Sequence, residues 1–387
     1  MKKSFFKITM LILVLCTTSI QNLRAQVSKN SQTNSTIQSN KKNKIVIIVS
    51  SYGKDNGKQR PGFDMEEFSQ AYLIFKANDL IIDIASPRGG KADAGKFNKE
   101  KPYNQQIVQD ATVMQMLDQT IPTANLNAND YDALYVVGGK GPMFDLVVDP
   151  ALQDFIADMY KKKSIIATIC HGTIALANIK IDNKYLVENK ALTGYCNEEE
   201  KMFGKTAADF PFLLEDKLLS RGAKYKKIDA MLPYMLIDDN LITGQNPYSA
   251  NLVAEEIIKS LGKKPVKRDK FKDELSMDLV KKFTYEDATF AKTELQKNSN
   301  KYDLELIAIY GYYHAMHAKE DIEKLKKAVS IIELVTPYYF NEDLYVPLSE
   351  YYLKLGNNSS AIATLDKILE KNPKSERAVK LLGNIKK

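Results

Sequence analysis

Ser164-Ile-Ile-Ala-Thr-Ile-Cys170-His171-Gly172-Thr-Ile-Ala-Leu176 packs an apolar β-branched run, a cysteine, a glycine and a second apolar stretch into thirteen residues. The run up to Cys170 has the composition of a strand buried on both faces. Gly172 permits a tight turn, and the spacing predicts a helix over Thr173–Ile179. Strand, sharp turn and helix together make a nucleophile elbow, which lifts one reactive side chain clear of a sheet. The amide N–H groups at the start of such a helix would favour thiolate over thiol at Cys170. A single buried cysteine is more often a small inert hydrophobe. Its place at the elbow makes Cys170 a candidate nucleophile instead.

On either side of this stretch the same alternation continues. Ile45–Ser50, Ile81–Ser86 and Ala133–Gly138 are β-rich runs bounded by Gly, Pro or Ser. Between and beyond them Glu66–Ala77, Pro150–Lys161 and Ala250–Leu261 carry helical spacing. Continuous apolar strands separated by helices predict an α/β fold, a doubly wound, mainly parallel sheet covered on both faces. In such sheets ligands bind beyond the carboxyl ends of the strands, so functional residues are sought there.

The chain has 387 residues, and 55 Lys and Arg against 48 Asp and Glu give it a formal charge of +7. That excess sits at the start. Residues 1–44 hold eight bases (Lys2, Lys3, Lys7, Arg24, Lys29, Lys41, Lys42 and Lys44) and no acid, which leaves 47 bases against 48 acids in the body. The basic balance is therefore no nucleic-acid footprint, and no nucleic-acid partner is expected. Residues 1–25 read as a secretory signal, with Lys2 and Lys3 before an apolar core from Ile8 to Cys16 and Leu23-Arg24-Ala25 at the cut. The expected location is the periplasm or the extracellular space, with no membrane span after cleavage. Residues 26–44, rich in Ser, Thr, Asn, Gln and Lys, read as a flexible tether. Of the three cysteines only Cys170 and Cys196 lie beyond the signal, too few for a fold built on disulfides.

Ala-Thr-Ile-Cys170-His171-Gly172, with Val137-Gly138-Gly139-Lys140-Gly141-Pro-Met-Phe-Asp145, resembles the ThiJ/PfpI superfamily. Ser86-Pro87-Arg88-Gly89-Gly90, Thr193-Gly194-Tyr195-Cys196-Asn197-Glu198-Glu199-Glu200 and Leu241-Ile-Thr-Gly244-Gln245-Asn246-Pro247 fit the same pattern in the same order. The resemblance covers about Lys44 to Leu261. It implies the class I glutamine amidotransferase-like fold, in the branch of the glyoxalase III enzymes and stress chaperones. It also implies Cys170 as nucleophile, His171 as its proton-handling partner and a carboxylate orienting the histidine. Glu200 matches that carboxylate best and Glu199 second. His171 could instead act mainly through its backbone N–H, which with that of Gly139 would form the oxyanion donors. A glutamate early in the first helix is implied too. It aligns with Glu67, although Asp64 and Glu67 also have capping-box spacing and Glu67 could simply satisfy the helix end. Lys140 stands where this branch usually has His. A cation there would depress the Cys170 pKa further and alter substrate range.

No dinucleotide fingerprint or phosphate loop is present, and His314 and His317 have no thiol or carboxylate partner placed by the sequence. No cofactor and no metal are expected. What remains is thiol chemistry on a small dicarbonyl such as methylglyoxal, giving the hydroxy acid through a Cys170 hemithioacetal. The same nucleophile would serve a cysteine amidase or peptidase. A third reading is non-enzymatic, an envelope holdase chaperone that uses the C-terminal region. Cys170 and Cys196 would both lie beyond strand ends, and in an oxidising compartment their pairing would silence the nucleophile. The resemblance permits homodimers.

The α/β domain is expected over 45–263. A basic, Pro-containing segment, Lys263 to Lys272, reads as a solvated linker, and 264–300 as linker and helix. Over 301–387 Tyr345, Leu348, Tyr352, Gly356, Ala361, Leu365, Ile368 and Pro373 fall on tetratricopeptide spacing. Val379, Leu382 and Gly383 open another unit in the same register. These are packing positions of a small all-α solenoid, with a peptide-binding groove as the sharper reading. Pro347 fits poorly inside its helix.

Overall fold

The computed structural model describes residues 42–203 and 210–385. The signal read at 1–25, and all but the last three residues of the tether read at 26–44, lie outside the described residues. β1 (Lys44–Ile48), β2 (Ile81–Ser86), β3 (Ile121–Pro122), β4 (Ala133–Val136), β5 (Ile165–Ile169), β6 (Met235–Asp238) and β7 (Leu241–Gly244) make one sheet. Its order is β6-β7-β5-β4-β1-β2-β3. Every neighbouring pair is parallel except β6 and β7, an antiparallel hairpin at one edge.

The strands alternate between two cores. Ile45, Ile47, Tyr135 and Ala167 face one side, where they meet Phe68 and Phe75 of α1 (Met65–Ala77). Val46, Ile48, Leu134 and Ile166 face the other, against Leu152 and Ile156 of the helix Pro150–Lys161. Burial of each such side chain is worth about 1.5–3 kcal/mol, so sliding any strand by one residue would forfeit several at once. Between these helices lie α2 (Pro102–Gln109) and α3 (Ala111–Asp118), which makes Pro150–Lys161 α4. After it come α5 (Asn197–Phe203), α6 (Leu214–Ser220) and α7 (Ala250–Ser260).

α1 starts where it does because the Asp64 carboxylate accepts the Glu66 N–H at 2.8 Å and the Glu67 N–H at 3.0 Å. Such a cap is worth about 1 kcal/mol. Its cap and buried face hold the first turn of α1 at the carboxyl end of the sheet, with the Asp64 N–H donating to the Gly138 carbonyl at 3.0 Å.

The rest is helical: α8 (Lys272–Tyr285), α9 (Ala288–Asn298), α10 (Leu304–His317), α11 (Ile322–Val335), α12 (Glu342–Lys354), α13 (Asn358–Lys371) and α14 (Glu376–Ile385). Tyr345, Leu348, Tyr352, Ala361, Leu365 and Ile368 are buried, and Gly356 turns the chain between α12 and α13 with φ of +73°. In α14 the register differs from expectation: Ala378 is buried, while Val379 is 54% exposed. Pro347 lies in the second turn of α12, and the helix continues through it. The His314 ring stacks on Tyr310, and its Nε2 lies 3.1 Å from the Ala230 carbonyl oxygen. A carbonyl can only accept, so that nitrogen carries the proton.

The basic segment before α8 is exposed over much of its length, Val266 being 52% exposed, yet it is pinned to the elements on either side. Arg268 forks onto both carboxylate oxygens of Glu274 at 2.7 Å and reaches Glu255 of α7 at 3.0 Å. The Val266 N–H donates to Asn78 at the end of α1. Met231 and Leu232, from the chain before β6, share a core with α8, α10 and α11. Asn43–Lys387 is accordingly one compact unit.

Candidate functional site

Cys170 is the first residue after β5, and its φ of +54° is one that only glycine adopts freely. A non-glycine residue held there costs of order 1–3 kcal/mol, a strain typical of sites where geometry serves chemistry. The chain leaves the strand as a 3₁₀ helix, Cys170–Leu176, and not as the α-helix expected over Thr173–Ile179. Gly172 serves close packing: a Cβ there would stand 2.7 Å from the Val136 carbonyl oxygen and 2.8 Å from that of Val137.

Without an α-helix dipole the thiolate is not favoured at rest. Burial pushes the Cys170 thiol well up, and the charge of nearby Asp64 pushes it the same way. Lys140 is not among these dominant influences; it lines the cavity beyond, next to Gly139. Glu67 is fully buried, and burial followed by the charge of Asp64 raises its carboxyl well above the ordinary range. Its side chain does not turn back to cap the helix. Oε2 accepts the Gly138 N–H at 2.7 Å, and Oε1 has no conventional hydrogen-bond partner. The carboxyl lies against the Cys170 thiol, which shifts its titration in turn. Gly138 makes this contact possible, since a Cβ on it would stand 2.7 Å from both Cys170 Cβ and Glu67 Oε2.

The His171 imidazole turns back to the sulfur, with Nδ1 3.5 Å from Cys170 Sγ. Nε2 is hydrogen-bonded to Glu200 Oε1, and both side chains are buried. Tyr195 lies over the ring at 4.4 Å between centroids, and Phe210 meets it edge-on at 5.5 Å. Glu199 points elsewhere: it accepts the backbone N–H groups of Cys196 and Met231 and the Asn246 side-chain amide. Those three bonds make Glu199 a brace between α5 and the chain before β6. Cys196 is fully buried, with its thiol pushed up by burial and by Glu199, and both cysteines are free thiols.

The turn after β5, the start of α1 and α5 thus bring together Glu67, Cys170, His171 and Glu200. Asp64, Gly138, Tyr195 and Phe210 also shape the site, and sequence reasoning did not name them for it. Asp64 carried only a capping signal, Gly138 and Tyr195 lay within the resembling motifs without a role of their own, and Phe210 carried no signal that a single sequence supplies. Asp145 ties down the end of β1 through Ser50 Oγ at 2.8 Å and the Ser51 N–H at 2.7 Å, and burial lifts its carboxyl to about 6. Among the described residues no group of three or more His, Cys, Asp or Glu is arranged to hold a metal ion, and no helix is long and apolar enough to cross a membrane.

A model of the DJ-1/PfpI family matches residues 59–260. The chain belongs to the DJ-1/PfpI family. The glutathione-independent glyoxalase hsp3102 of Schizosaccharomyces pombe is 26% identical over 57% of this chain and 98% of its own length. Glyoxalase 3 of Candida albicans is 28% identical over 56% and 97%. Among solved structures, the 24 kDa rapid encystment protein of Francisella tularensis superposes with a TM-score of 0.54 at 30% identity, covering 57% of this chain and 99% of that one. The DJ-1/PfpI match ends in α7, so α8 to α14 lie outside it.

Proposed function

We propose that this chain is a glutathione-independent glyoxalase that converts a small 2-oxoaldehyde such as methylglyoxal to the 2-hydroxy acid. The carrying observation is the meeting of Glu67, Cys170, His171 and Glu200 at the carboxyl end of β5. Two DJ-1/PfpI relatives named as glyoxalases support an enzyme of this type.

Cys170 rests as a thiol, so its proton leaves as the sulfur attacks the aldehyde carbon, and His171 Nδ1 is the base within reach. That proton passes to the aldehyde oxygen and completes the hemithioacetal. His171 then takes the C1 hydrogen as a proton, while Glu67, protonated through its burial, gives its own to the C2 oxygen. The product is an enediol. Return of the proton from His171 to C2, and of the C1 hydroxyl proton to Glu67, leaves the thioester of the 2-hydroxy acid. Water then cleaves the C–S bond, releasing the acid and restoring the thiol. Glu200 holds the imidazole in the orientation this relay needs. The N–H groups of Gly139 and His171 would meet the oxygen where negative charge develops. The reading includes export, supported by the signal-like residues 1–25.

The test is D-lactate formation from methylglyoxal by the purified protein. Wild type should produce it and Cys170→Ala should not. No D-lactate from either, or equal amounts from both, sinks the proposal. A trapped acyl-thioester with loss of an amide bond would point to the amidase alternative.

A further inference from the structure

A cavity of about 700 Å³ opens between the 57–64 loop, Gly95-Lys96, Gly139-Lys140 and the rings of Phe144 and Phe210. Pockets of this size hold ligands far larger than three-carbon methylglyoxal. Among its described lining residues the cations are Lys58, Arg60, Lys96 and Lys140, and the one carboxylate is Asp64, whose Oδ1 accepts the Glu66 and Glu67 N–H groups. Arg60 is part-buried, its guanidinium 5.1 Å above the Tyr52 ring, and its Nε is buried without an acceptor. From that guanidinium an aromatic wall leads inward. Tyr52 stacks on Phe144 at 4.4 Å, Phe144 meets Phe210 at 5.6 Å, and Phe210 meets His171. Cys170 and His171 do not line the cavity, but Phe210, which does, meets the His171 ring, so a cation on the cavity side and the candidate nucleophile behind that ring select a ligand with complementary ends.

We infer that the preferred substrate is a 2-oxoaldehyde carrying an anionic group, carboxylate or phosphate, which Arg60 and its neighbouring lysines hold while the aldehyde reaches Cys170. This rests on the glyoxalase reading and adds the substrate class. The conversion stays balanced: one water is taken up, the aldehyde carbon is oxidised, the ketone carbon is reduced, and the anion is a spectator.

The experiment compares kcat/KM for 4,5-dioxopentanoate with that for its neutral methyl ester, in wild type, Arg60→Gln and Lys140→Gln, each checked for folding by circular dichroism. The anion should be preferred by about tenfold or more, the worth of one charge-assisted hydrogen bond. The preference should fall about fivefold or more in at least Arg60→Gln, and it should weaken in high salt. Inorganic phosphate and acetate as competitors separate the two anion sources. The one that raises KM in wild type and not in Arg60→Gln is the class recognised, and failure of both overturns the assignment. A wild-type ratio near or below one, or a ratio that neither substitution changes, also overturns it while leaving the glyoxalase reading intact. If neither dioxo compound nor methylglyoxal turns over, yet phosphate or acetate binds by calorimetry and Arg60→Gln abolishes that binding, the glyoxalase reading fails and the anion site stands.

Discussion

Replacing Gly138 by Ala tests the geometry of the site with a single methyl group. The new Cβ would stand 2.7 Å from Cys170 Cβ, 2.7 Å from Glu67 Oε2 and 2.8 Å from the Ile169 carbonyl oxygen, where ordinary contact begins near 3.4 Å. Relief therefore requires the Glu67 carboxyl and the Cys170 turn to separate by about 0.7 Å or more, since Ile169 is backbone of a central strand. Overpacking of this kind costs about 1–3 kcal/mol. A misplacement approaching 1 Å at a reacting centre costs about 100-fold in rate. Gly383→Ala is the control: a helical position with nothing within 4 Å of the added methyl, where alanine should if anything stabilise. D-lactate production under saturating methylglyoxal, and calorimetric melting, are measured for both variants. Gly138→Ala should melt lower and lose most of its kcat. If it keeps kcat within about threefold of wild type and melts unchanged, the view that Gly138 holds the Glu67–Cys170 contact is wrong.

Glu200→Gln removes the carboxylate that positions His171 and should lower kcat by about 100-fold or more, with little change in KM; an unaltered kcat would show that the histidine is oriented by its rings alone. Glu66 has its carboxyl lifted to about 7 by burial first and by the charge of Asp64 second. The folded protein then holds this proton more tightly than the unfolded chain, whose carboxyl titrates near 4.5. The stability it contributes is complete below about pH 4.5 and is lost as the pH rises through about 7, by at most about 3 kcal/mol. Urea midpoints across that window should fall in wild type and flatten in Glu66→Gln. Arg268→Gln removes the two-pronged partner of the nearly buried Glu274, leaving it Lys270 at 3.9 Å and the Phe271 N–H at 3.3 Å, and should cost about 2–3 kcal/mol, read as a lower urea midpoint at unchanged slope. Thiol titration should find Cys170 and Cys196 both reduced, with Cys196 reacting only on unfolding.

The sheet was legible because its strands are continuous apolar runs, a pattern that survives in any sequence whose strands are buried on both faces. The edge strand β6 was not read as a strand because Met235, Leu236 and Asp238 are only part-buried and Ile237 is half exposed; its partner β7 is buried throughout, but its run of Leu241-Ile-Thr-Gly244 is short. The turn at Cys170 could be located, but its consequence for the thiol could not. Whether α-helix or 3₁₀ succeeds the strand depends on how tightly Gly172 packs on the end of β4. The titration of Cys170 depends on its burial and on Asp64, the cap of α1, a hundred residues away. Resemblance placed Glu67 beside the cysteine where spacing alone favoured a helix cap equally well. Arg60 carried no local signal at all, because its importance lies in Tyr52 and in the empty space beside it.

The core that Met231 and Leu232 share with α8, α10 and α11 makes the C-terminal helices part of one cooperative folding unit rather than a detachable module. The bond from Tyr103 to Asp273 at 2.6 Å, and the ammonium of Lys101 between Asp273 and Asp303, tighten the same seam from the side of α2. Heating should therefore yield one calorimetric transition and not two. A chain cut after residue 264 would bare an oily face and behave as an aggregating fragment, so loss of function on such a cut would say nothing about what the helices bind.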